Sequence, residues 1–285
     1  MTTEQKTTTS SGKLNSADSP SSSTMTSANS SSISGATASI PSVKEESIPS
    51  SKPTIALIDG DILCYRIGFA SEDVNEGLVK ARIDEFISEM LMDLDVKDYY
   101  GYLTGEGNFR HGIAVTAPYK GNRSGAKPIH YNFIREYLEH GWDFGVIHGE
   151  EADDAISIDH TKHHPSTVIC SIDKDFDQLE GWHYNFVKRK LYYVGELEGI
   201  RNFYQQILTG DRVDNVIGIR GCGPVRSARI VAQHDRECAL YKAVVDEFGK
   251  DAEHRVIENG KLLWLRRYPG QLWEPPCSVS ESGSE

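Results

Sequence analysis

Acidic residues occur in tight groups along this chain, and carboxylates held close together need cations or protons to offset their repulsion. The densest group has four carboxylates in five residues, at Glu150, Glu151, Asp153 and Asp154. The other groups are pairs beside apolar runs: Asp59 with Asp61, Asp173 with Asp175, and Asp211 with Asp214. A single acidic group is commonly the solvated start of a helix, where capping and the helix dipole favour Asp and Glu. Four groups in one chain favour a shared site instead.

The elements that must position these acids are predicted from hydrophobic periodicity. Short β-branched and apolar runs predict strands at 54–58, 99–103, 144–148 and 167–172, and helical spacing predicts helices at 79–94, 128–140, 200–208 and 225–232. Alternating strands and helices indicate an α/β fold with a mostly parallel central sheet flanked by helices. Asp59, Glu151 and Asp173 each follow a predicted strand. We therefore expect them at the edge of the sheet where such folds bind ligands.

Oxygen ligands crowded at one edge suit a hard divalent cation such as Mg²⁺ or Mn²⁺. The chain offers no set of His and Cys residues of the kind that zinc prefers. His160, His163 and His164 lie near a predicted helix end, and we expect them to be solvated rather than to bind a metal. The acidic edge is therefore predicted to bind magnesium or manganese.

The net charge of −12 hides two basic regions that could meet a nucleic acid. Residues 107–135 contain no Asp or Glu, and their basic residues are Arg110, Lys120, Arg123, Lys127 and Arg135. The second region is a glycine-rich turn followed by two arginines, with Gly218, Gly221, Gly223, Arg226 and Arg229. Open backbone N–H groups in such a turn can bind a phosphate, although an ordinary turn between helices has the same pattern. The arginines favour a hairpin that grips a nucleic-acid backbone without reading bases.

The ends of the chain and its cysteines bear on organisation and location. Residues 1–53 are rich in Ser and Thr, contain no aromatic residue and lack hydrophobic periodicity, so we expect them to be disordered. They also lack the features of a signal or transit peptide, and no run of the chain is long enough to cross a membrane. Five scattered cysteines without a C-x-x-C pair indicate a reducing, cytoplasm-like compartment.

In this order, the motifs resemble those of the 5′-nuclease superfamily, the flap endonucleases and 5′–3′ exonucleases, with phage and bacterial members the most similar. The resemblance runs from about Thr54 to Phe248. It rests on five motifs: I-D-G-D at 58–61, Y-K-G-N-R at 119–123, E-A-D-D at 151–154, S-I-D-K-D-F at 171–176 and G-D-R-V-D-N-V-I-G-I-R-G-C-G at 210–223. It implies a PIN-like nuclease core at 54–198, a helix-three-turn-helix DNA-binding region at 199–250 and a C-terminal extension at 251–285.

Carried over residue by residue, the resemblance implies two bound Mg²⁺ or Mn²⁺ ions. One would be held by Asp59, Glu151, Asp153 and Asp154, and the other by Asp173, Asp175, Asp211 and Asp214. Lys120 and Arg123 would meet the scissile phosphate and count as catalytic together with Asp153 and Asp175. The turn at 218–223 would grip duplex DNA and bind K⁺.

The implied activity is two-metal hydrolysis of DNA from a 5′ end, nick, gap or flap. The resemblance implies a monomer in the cytoplasm, which is the host cytoplasm for a phage protein. RNA in an RNA–DNA hybrid is a further implied substrate.

The chain departs from the family pattern at three places. The acid usual after the second strand is absent from Leu103-Thr104-Gly105, with Glu106 as a candidate substitute. Val225 stands where a hairpin Lys is usual, with Arg226 as its candidate replacement. The residues between 123 and 128 are too few for a long helical arch, which favours exonucleolytic trimming over flap cutting.

Two alternatives stay open. A degenerate nuclease that lacks the acid at Thr104 would only bind branched or nicked DNA. An aspartyl-phosphate phosphatase would use Asp59 and Asp61 after the first strand together with Asp211 and Asp214, but it leaves the acids at 151–154 and the glycine hairpin without a role.

Overall fold

Within residues 48–279, which the computed structural model describes, the central element is a six-stranded sheet. Its strands are β1 Ile55–Asp59, β2 Asp98–Thr104, β3 Gly145–Ile147, β4 Thr167–Cys170, β5 Gly181–Asn185 and β6 Lys190–Val194. Their order across the sheet is β3-β2-β1-β4-β5-β6, and every neighbouring pair is parallel except β5–β6. The predicted α/β fold with a mostly parallel sheet is confirmed. The disorder predicted for residues 1–53 falls almost entirely outside the described part.

Helices flank the sheet and build a second, helical region. They are α1 Gly60–Phe69, α2 Glu76–Leu94, α3 Tyr131–Gly141, α4 Ala152–His163, α5 Glu196–Thr209, α6 Pro224–Val231, α7 Glu237–Phe248 and α8 Glu253–Leu263, with 3₁₀ helices at Phe109–Gly112, Lys174–Gln178 and Lys250–Ala252. A short antiparallel ribbon follows α5 and pairs β7 Gly210–Asp211 with β8 Val216–Ile217. No helix of the described residues has both the length and the apolar character needed to cross a membrane.

Strand β1 lies inside the sheet and is apolar on both faces. Ala56 and Ile58 pack into a core with residues of α1, α2 and α3, whereas Leu57 packs into a second core with Ile156 of α4. The three β1 side chains are at most 1% exposed. A strand buried on both faces is a continuous apolar run rather than an alternating one. The sequence pattern therefore identified β1, which carries Asp59 to the carboxyl edge of the sheet.

Helix α1 begins directly at the end of β1, where the hydrophobic periodicity of the sequence predicts no helix. Asp59 is its N-cap, because the Asp59 side chain accepts a hydrogen bond from the Ile62 amide at 3.2 Å. A Cβ at Gly60 would lie 2.6 Å from the Tyr102 carbonyl oxygen of β2, so this close approach depends on glycine. The exposed face of α1 also carries Tyr65, which blurs the helical period in the sequence.

The helical region has its own core around Trp273. The Trp273 side chain is buried, and its ring lies 5.6 Å from that of Phe203 in α5 and 6.0 Å from that of Tyr241 in α7, measured between centroids. Helix α5 runs through the predicted boundary between residues 198 and 199, and α8 lies in the predicted C-terminal extension. Those domain boundaries stay a prediction.

Cys238 of α7 and Cys277 form a disulfide bond that attaches the C-terminal segment to the helical region. The other cysteines of the described residues, Cys64, Cys170 and Cys222, are free and buried. The fold brings together two cysteines that are 39 positions apart in the chain, a pairing that their scatter in the sequence does not indicate. The reducing compartment inferred from that scatter stays a prediction.

His160 is buried, so the prediction that it is solvated is wrong, whereas His163 is exposed as expected. The two ring nitrogens of His160 lie 2.8 Å from the Glu180 carbonyl oxygen and 2.9 Å from the Thr167 hydroxyl. Burial lowers the pKa of His160 to about 3. Both partners come from other elements, and no local pattern in the sequence reveals them.

The neutral state of His160 makes stability depend on pH. The unfolded chain binds a proton at this residue below pH ~6.5, whereas the folded chain does not until about pH 3. Stability from this residue is therefore present above pH ~6.5 and is lost as the pH falls, by about 2 kcal/mol between pH 7 and pH 5. Urea unfolding of wild type and His160→Gln at both pH values measures this difference. His163→Gln is the matched control, and an equal loss in all three proteins would contradict the expectation.

Candidate active site

The carboxyl edge of the sheet gathers acids from neighbouring strands. Asp59 ends β1, Glu151 precedes α4, and Asp173 follows β4, which pairs directly with β1. Asp59 and Asp173 both raise the pKa of Asp153 in α4, after the larger effect of burial. Carboxylates act on each other in this way only when they are close in space. The structure therefore brings these predicted site residues together.

Two acids at this edge have strongly raised pKa values. Burial raises the pKa of Asp59 to about 7, although the Ser171 hydroxyl donates to its Oδ2 at 2.7 Å and favours the ionised form. Burial also raises the pKa of Asp175 to about 8, with further contributions from Asp173 and Asp211. Carboxylates that resist ionisation in this way need positive charge nearby at neutral pH. The edge thus has the electrostatics of a cation site.

Asp211 ends β7, and Asp214 lies in the turn between β7 and β8. Burial would raise the pKa of Asp211, but hydrogen bonds from backbone amides and the Lys174 ammonium outweigh it and lower the pKa. The Val213 and Asp214 amides donate to Asp211 Oδ1 at 2.6 and 3.1 Å, and Lys174 Nζ lies 3.3 Å from Oδ2. Asp211 is therefore held ionised and oriented beside the acids that follow β4.

The loop before α3 brings its cations into the same place. Lys120 Nζ donates to the Glu151 carboxylate, and Arg123 Nη2 lies 2.8 Å from Asp214 Oδ1. The Lys120 backbone has φ of +55°, a left-handed conformation that costs energy for a residue with a side chain. Burial lowers the pKa of Lys120, although Asp214 opposes that shift. Lys120 thus combines backbone strain with a partly buried charge, two features that cluster at functional sites in proteins.

Tyr119 joins the two acidic groups, a role that sequence reasoning missed. Its hydroxyl lies 2.8 Å from Glu151 Oε2 and 2.6 Å from Asp214 Oδ2, and the ring is buried. The only signal in the sequence was its place beside Lys120 in the Y-K-G-N-R motif.

Asp154 and Arg110 do not have the predicted roles. The Arg110 guanidinium binds both oxygens of Asp154, at 2.5 and 2.9 Å, and the two side chains are at most 1% exposed. Asp154 also accepts from the Glu151 and Arg266 amides. Its oxygens are thus already shared among donors, which contradicts a metal-binding role. Arg110 is buried and cannot contact DNA.

The end of β2 shows what replaces the missing family acid. The Thr104 hydroxyl accepts a hydrogen bond from the Ala152 amide at 2.9 Å, so this residue supports the start of α4. Asp61 accepts from the Thr104 amide at 3.1 Å and from Arg135 at 3.0 Å. Glu106 is exposed, and its amide donates to the His148 ring. Thr104 therefore orients the acidic helix instead of supplying an oxygen ligand of the kind expected there.

The carboxylates of this edge suit a hard divalent cation in their chemistry, although their oxygens do not yet surround a common point where a cation would bind. Among the described residues, no three His, Cys, Asp or Glu side chains are already arranged to hold a metal ion. Lys120, Arg123 and Lys174 instead neutralise Glu151, Asp214 and Asp211. Carboxylate oxygens are nevertheless the ligands that Mg²⁺ and Mn²⁺ prefer, and a bound cation would favour the ionised forms of Asp59 and Asp175, whose pKa values burial raises.

The glycine-rich turn separates into packed and open positions. A Cβ at Gly218 would lie 2.2 Å from the Thr209 carbonyl carbon, so Gly218 serves a close approach to the end of α5. Gly221 and Gly223 are exposed with no atom within 4 Å of an added Cβ. The two arginines of this region are exposed, and so is Lys127, but Arg226 pairs with Glu247 at 2.6 Å.

No family model matches the chain, whereas solved structures do. A flap endonuclease of bacteriophage T5, in a pseudo-enzyme–product complex with DNA and metal ions, is 18% identical, with a TM-score of 0.55 over 75% of this chain and 89% of that one. A T5 5′-exonuclease with divalent zinc bound is 19% identical, with a TM-score of 0.56 over 73% of this chain and 88% of that one. The chain shares their fold. The fold implied by the motifs is confirmed, because the chain shares it with these two phage proteins.

Proposed function

We propose that this protein is a divalent-metal-dependent nuclease that trims DNA from 5′ ends. The observation that carries the proposal is the convergence of Asp59, Asp153, Asp173 and Asp175 on one sheet edge with Lys120 beside them. Shared fold with a phage flap endonuclease in complex with DNA and metal ions, and with a phage 5′-exonuclease, supports it.

Two groups of side chains are proposed to hold the metal ions. One is Asp59, Glu151 and Asp153, and the other is Asp173, Asp175, Asp211 and Asp214. Asp154 is left out, because Arg110 occupies it. When bound, Mg²⁺ or Mn²⁺ would polarise the phosphoryl oxygens and offset charge that develops during hydrolysis.

The protein's own cations complete the site. In the structure, Lys120 pairs with Glu151 and Arg123 pairs with Asp214. When DNA binds, both cations can exchange these carboxylates for the non-bridging oxygens of a phosphate. Arg123 is half exposed, so it can reach substrate without unfolding the loop. The Tyr119 hydroxyl, which hydrogen-bonds to both Glu151 and Asp214, holds the two carboxylates in place during this exchange.

The loop before α3 favours trimming over flap threading. Residues 113–130, between the first 3₁₀ helix and α3, contain no helix or strand. The Glu258 carboxylate of α8 holds this loop through both of its oxygens. The Val115 and Thr116 amides each donate to Oε1 at 2.7 Å, and the Thr116 hydroxyl donates to Oε2. Asn122 donates to the Arg212 carbonyl at 2.6 Å. A loop without helical structure that is held at Val115, Thr116 and Asn122 offers no helical arch through which a flap would pass.

The helix-three-turn-helix region is proposed to hold the duplex. Gly221 and Gly223 expose backbone N–H groups ahead of α6, and Arg229 lies exposed on that helix. Arg226 joins them when it leaves Glu247. The same turn is the proposed K⁺ site. The substrate is proposed to be a DNA duplex with a 5′ end, nick or gap, or an RNA–DNA hybrid, bound by a monomer.

One alternative has a specific observation in its favour. The Thr104 hydroxyl caps α4 where family members carry an acid, and Lys120 occupies Glu151, so the first metal group is poorer in free ligands. That observation favours a degenerate nuclease which binds branched DNA without cutting it. A phosphatase that uses Asp59 as its nucleophile is disfavoured, because Asp59 is 1% exposed and accepts hydrogen bonds from Ser171 and Ile62.

Digestion of labelled DNA separates these functions. Blunt, nicked, gapped and flapped duplexes are incubated with and without Mg²⁺, and product lengths are resolved from each end. We expect stepwise shortening from 5′ ends that stops in excess chelator, with flaps cut more slowly than nicks. Binding without cleavage at any Mg²⁺ or Mn²⁺ concentration would establish the degenerate alternative. Cleavage in chelator would exclude the metal assignment.

A further inference from the structure

Gln206 of α5 contacts the second acidic group, although no motif of the sequence includes it. Its side chain is 7% exposed, and its Nε2 donates to Asp175 Oδ1 at 2.9 Å. The neighbouring buried positions of α5 are Phe203, Tyr204, Ile207 and Leu208. A polar amide among them is not explained by packing, because an apolar side chain of similar length would fill the same space.

The other end of the Gln206 amide has no partner. In the described residues, four buried side-chain nitrogen or oxygen atoms lack a hydrogen bond, and three of them are donors, on Trp182, Arg255 and Trp273. The fourth, Gln206 Oε1, is an acceptor. When a cation is bound, Asp175 is ionised and can only accept, so the Gln206 nitrogen faces it, as in the structure, and the oxygen points elsewhere. An unpaired buried acceptor of this kind destabilises the fold.

We propose that Gln206 is a positioning residue for the divalent cation of the second acidic group. Its amide nitrogen fixes Asp175, and its carbonyl oxygen accepts a hydrogen bond from water that the cation retains. The inference rests on the proposed function for the presence of that cation.

The chemistry of the cation explains both ends of the amide. Mg²⁺ keeps several of its waters when it binds to protein carboxylates, and those waters need acceptors. Replacement of a group that hydrogen-bonds to a metal ligand and orients it typically lowers metal affinity by about 10- to 100-fold. A hydrated cation in the second acidic group would therefore supply the hydrogen-bond donor that Gln206 Oε1 lacks.

Mn²⁺ binding without DNA tests the proposal. Manganese affinity is measured by electron paramagnetic resonance and calorimetry for wild type and Gln206→Met, which keeps length and removes the hydrogen bonds. We expect affinity for the second group to fall by roughly tenfold or more. Gln205→Met is the matched control, because Gln205 is the adjacent residue of α5 and its amide contacts Asn202 rather than an acid. Gln206→Leu repeats the test if Gln206→Met does not fold.

The outcomes separate this inference from the proposed function. Equal Mn²⁺ affinity in wild type and Gln206→Met overturns the inference, even if both proteins hydrolyse DNA. Absence of Mn²⁺ binding by wild type also overturns it. Weaker Mn²⁺ binding by Gln206→Met alone supports the inference, even if no variant hydrolyses DNA, in which case the proposed function fails by itself.

Discussion

Replacement of Asp175 by Asn is expected to lower the single-turnover rate of DNA hydrolysis by about a thousandfold, or about 4 kcal/mol of transition-state stabilisation. Asp175 is proposed to hold a divalent cation, and Asn removes its charge with little change of shape. The same substitution is expected to raise the melting temperature at pH 8. Burial and the neighbouring acids raise the pKa of Asp175 to about 8, so ionisation of this carboxyl opposes folding.

The expected rise in melting temperature follows from the linkage between proton binding and folding. The unfolded chain releases the Asp175 proton near its ordinary pKa of 3.8, whereas the folded chain retains it to about pH 8. Stability associated with this carboxyl is therefore greatest at low pH and declines as the pH rises above ~3.8. Removal of the ionisable group removes that decline, which scanning calorimetry at pH 5 and pH 8 measures.

Asp177→Asn is the matched control for Asp175→Asn. Asp177 lies in the same 3₁₀ helix, but its carboxylate accepts from the Tyr192 hydroxyl at 2.7 Å. We expect its variant to hydrolyse DNA at nearly the wild-type rate. Mg²⁺ should raise the melting temperature of wild type and Asp177→Asn more than that of Asp175→Asn. Unchanged hydrolysis and an unchanged Mg²⁺ effect in Asp175→Asn would show that the second group binds no catalytic metal.

Replacement of Arg110 by Met is expected to destabilise the fold by about 3–5 kcal/mol, because it leaves the Asp154 carboxylate buried without its partner. Arg110 also donates to the Leu262 and Trp264 carbonyls at 2.8 and 2.9 Å. It therefore ties the acidic helix α4 to the segment that follows α8. Urea unfolding measures the loss.

Arg189→Met is the matched control for Arg110→Met. Arg189 also binds an aspartate through two nitrogens, at 2.6 and 2.8 Å to Asp93, but its side chain is 56% exposed. Solvent screens exposed ion pairs so that they contribute little to stability, and its variant should therefore unfold at nearly the wild-type urea concentration. If Arg110→Met kept wild-type stability and lost DNA affinity instead, the DNA contact predicted from the sequence would be right and the burial argument wrong.

The sequence by itself determined four of the six strands, β1 to β4, and the acids that follow them, whereas it did not indicate β5 and β6. Strands β1 and β4 are continuous apolar runs, and the acids that follow them are next in the chain. Hydrophobic periodicity is a local property, so it can be recognised in the sequence without knowledge of the fold. Parallel strands then share one carboxyl edge, which is why the convergence of Asp59, Asp153 and Asp173 was foreseeable.

Only the tertiary structure decided which acids are free and which are already paired. Asp153 and Asp154 are adjacent in the sequence, yet Asp153 belongs to the acidic edge while Asp154 is bound by Arg110, 44 residues away. His160 meets a carbonyl 20 residues away, and Gln206 meets Asp175 across 31. Successive residues of a helix point in different directions. The partner that each one meets depends on elements distant in the chain, and the sequence pattern carries no signal of that choice.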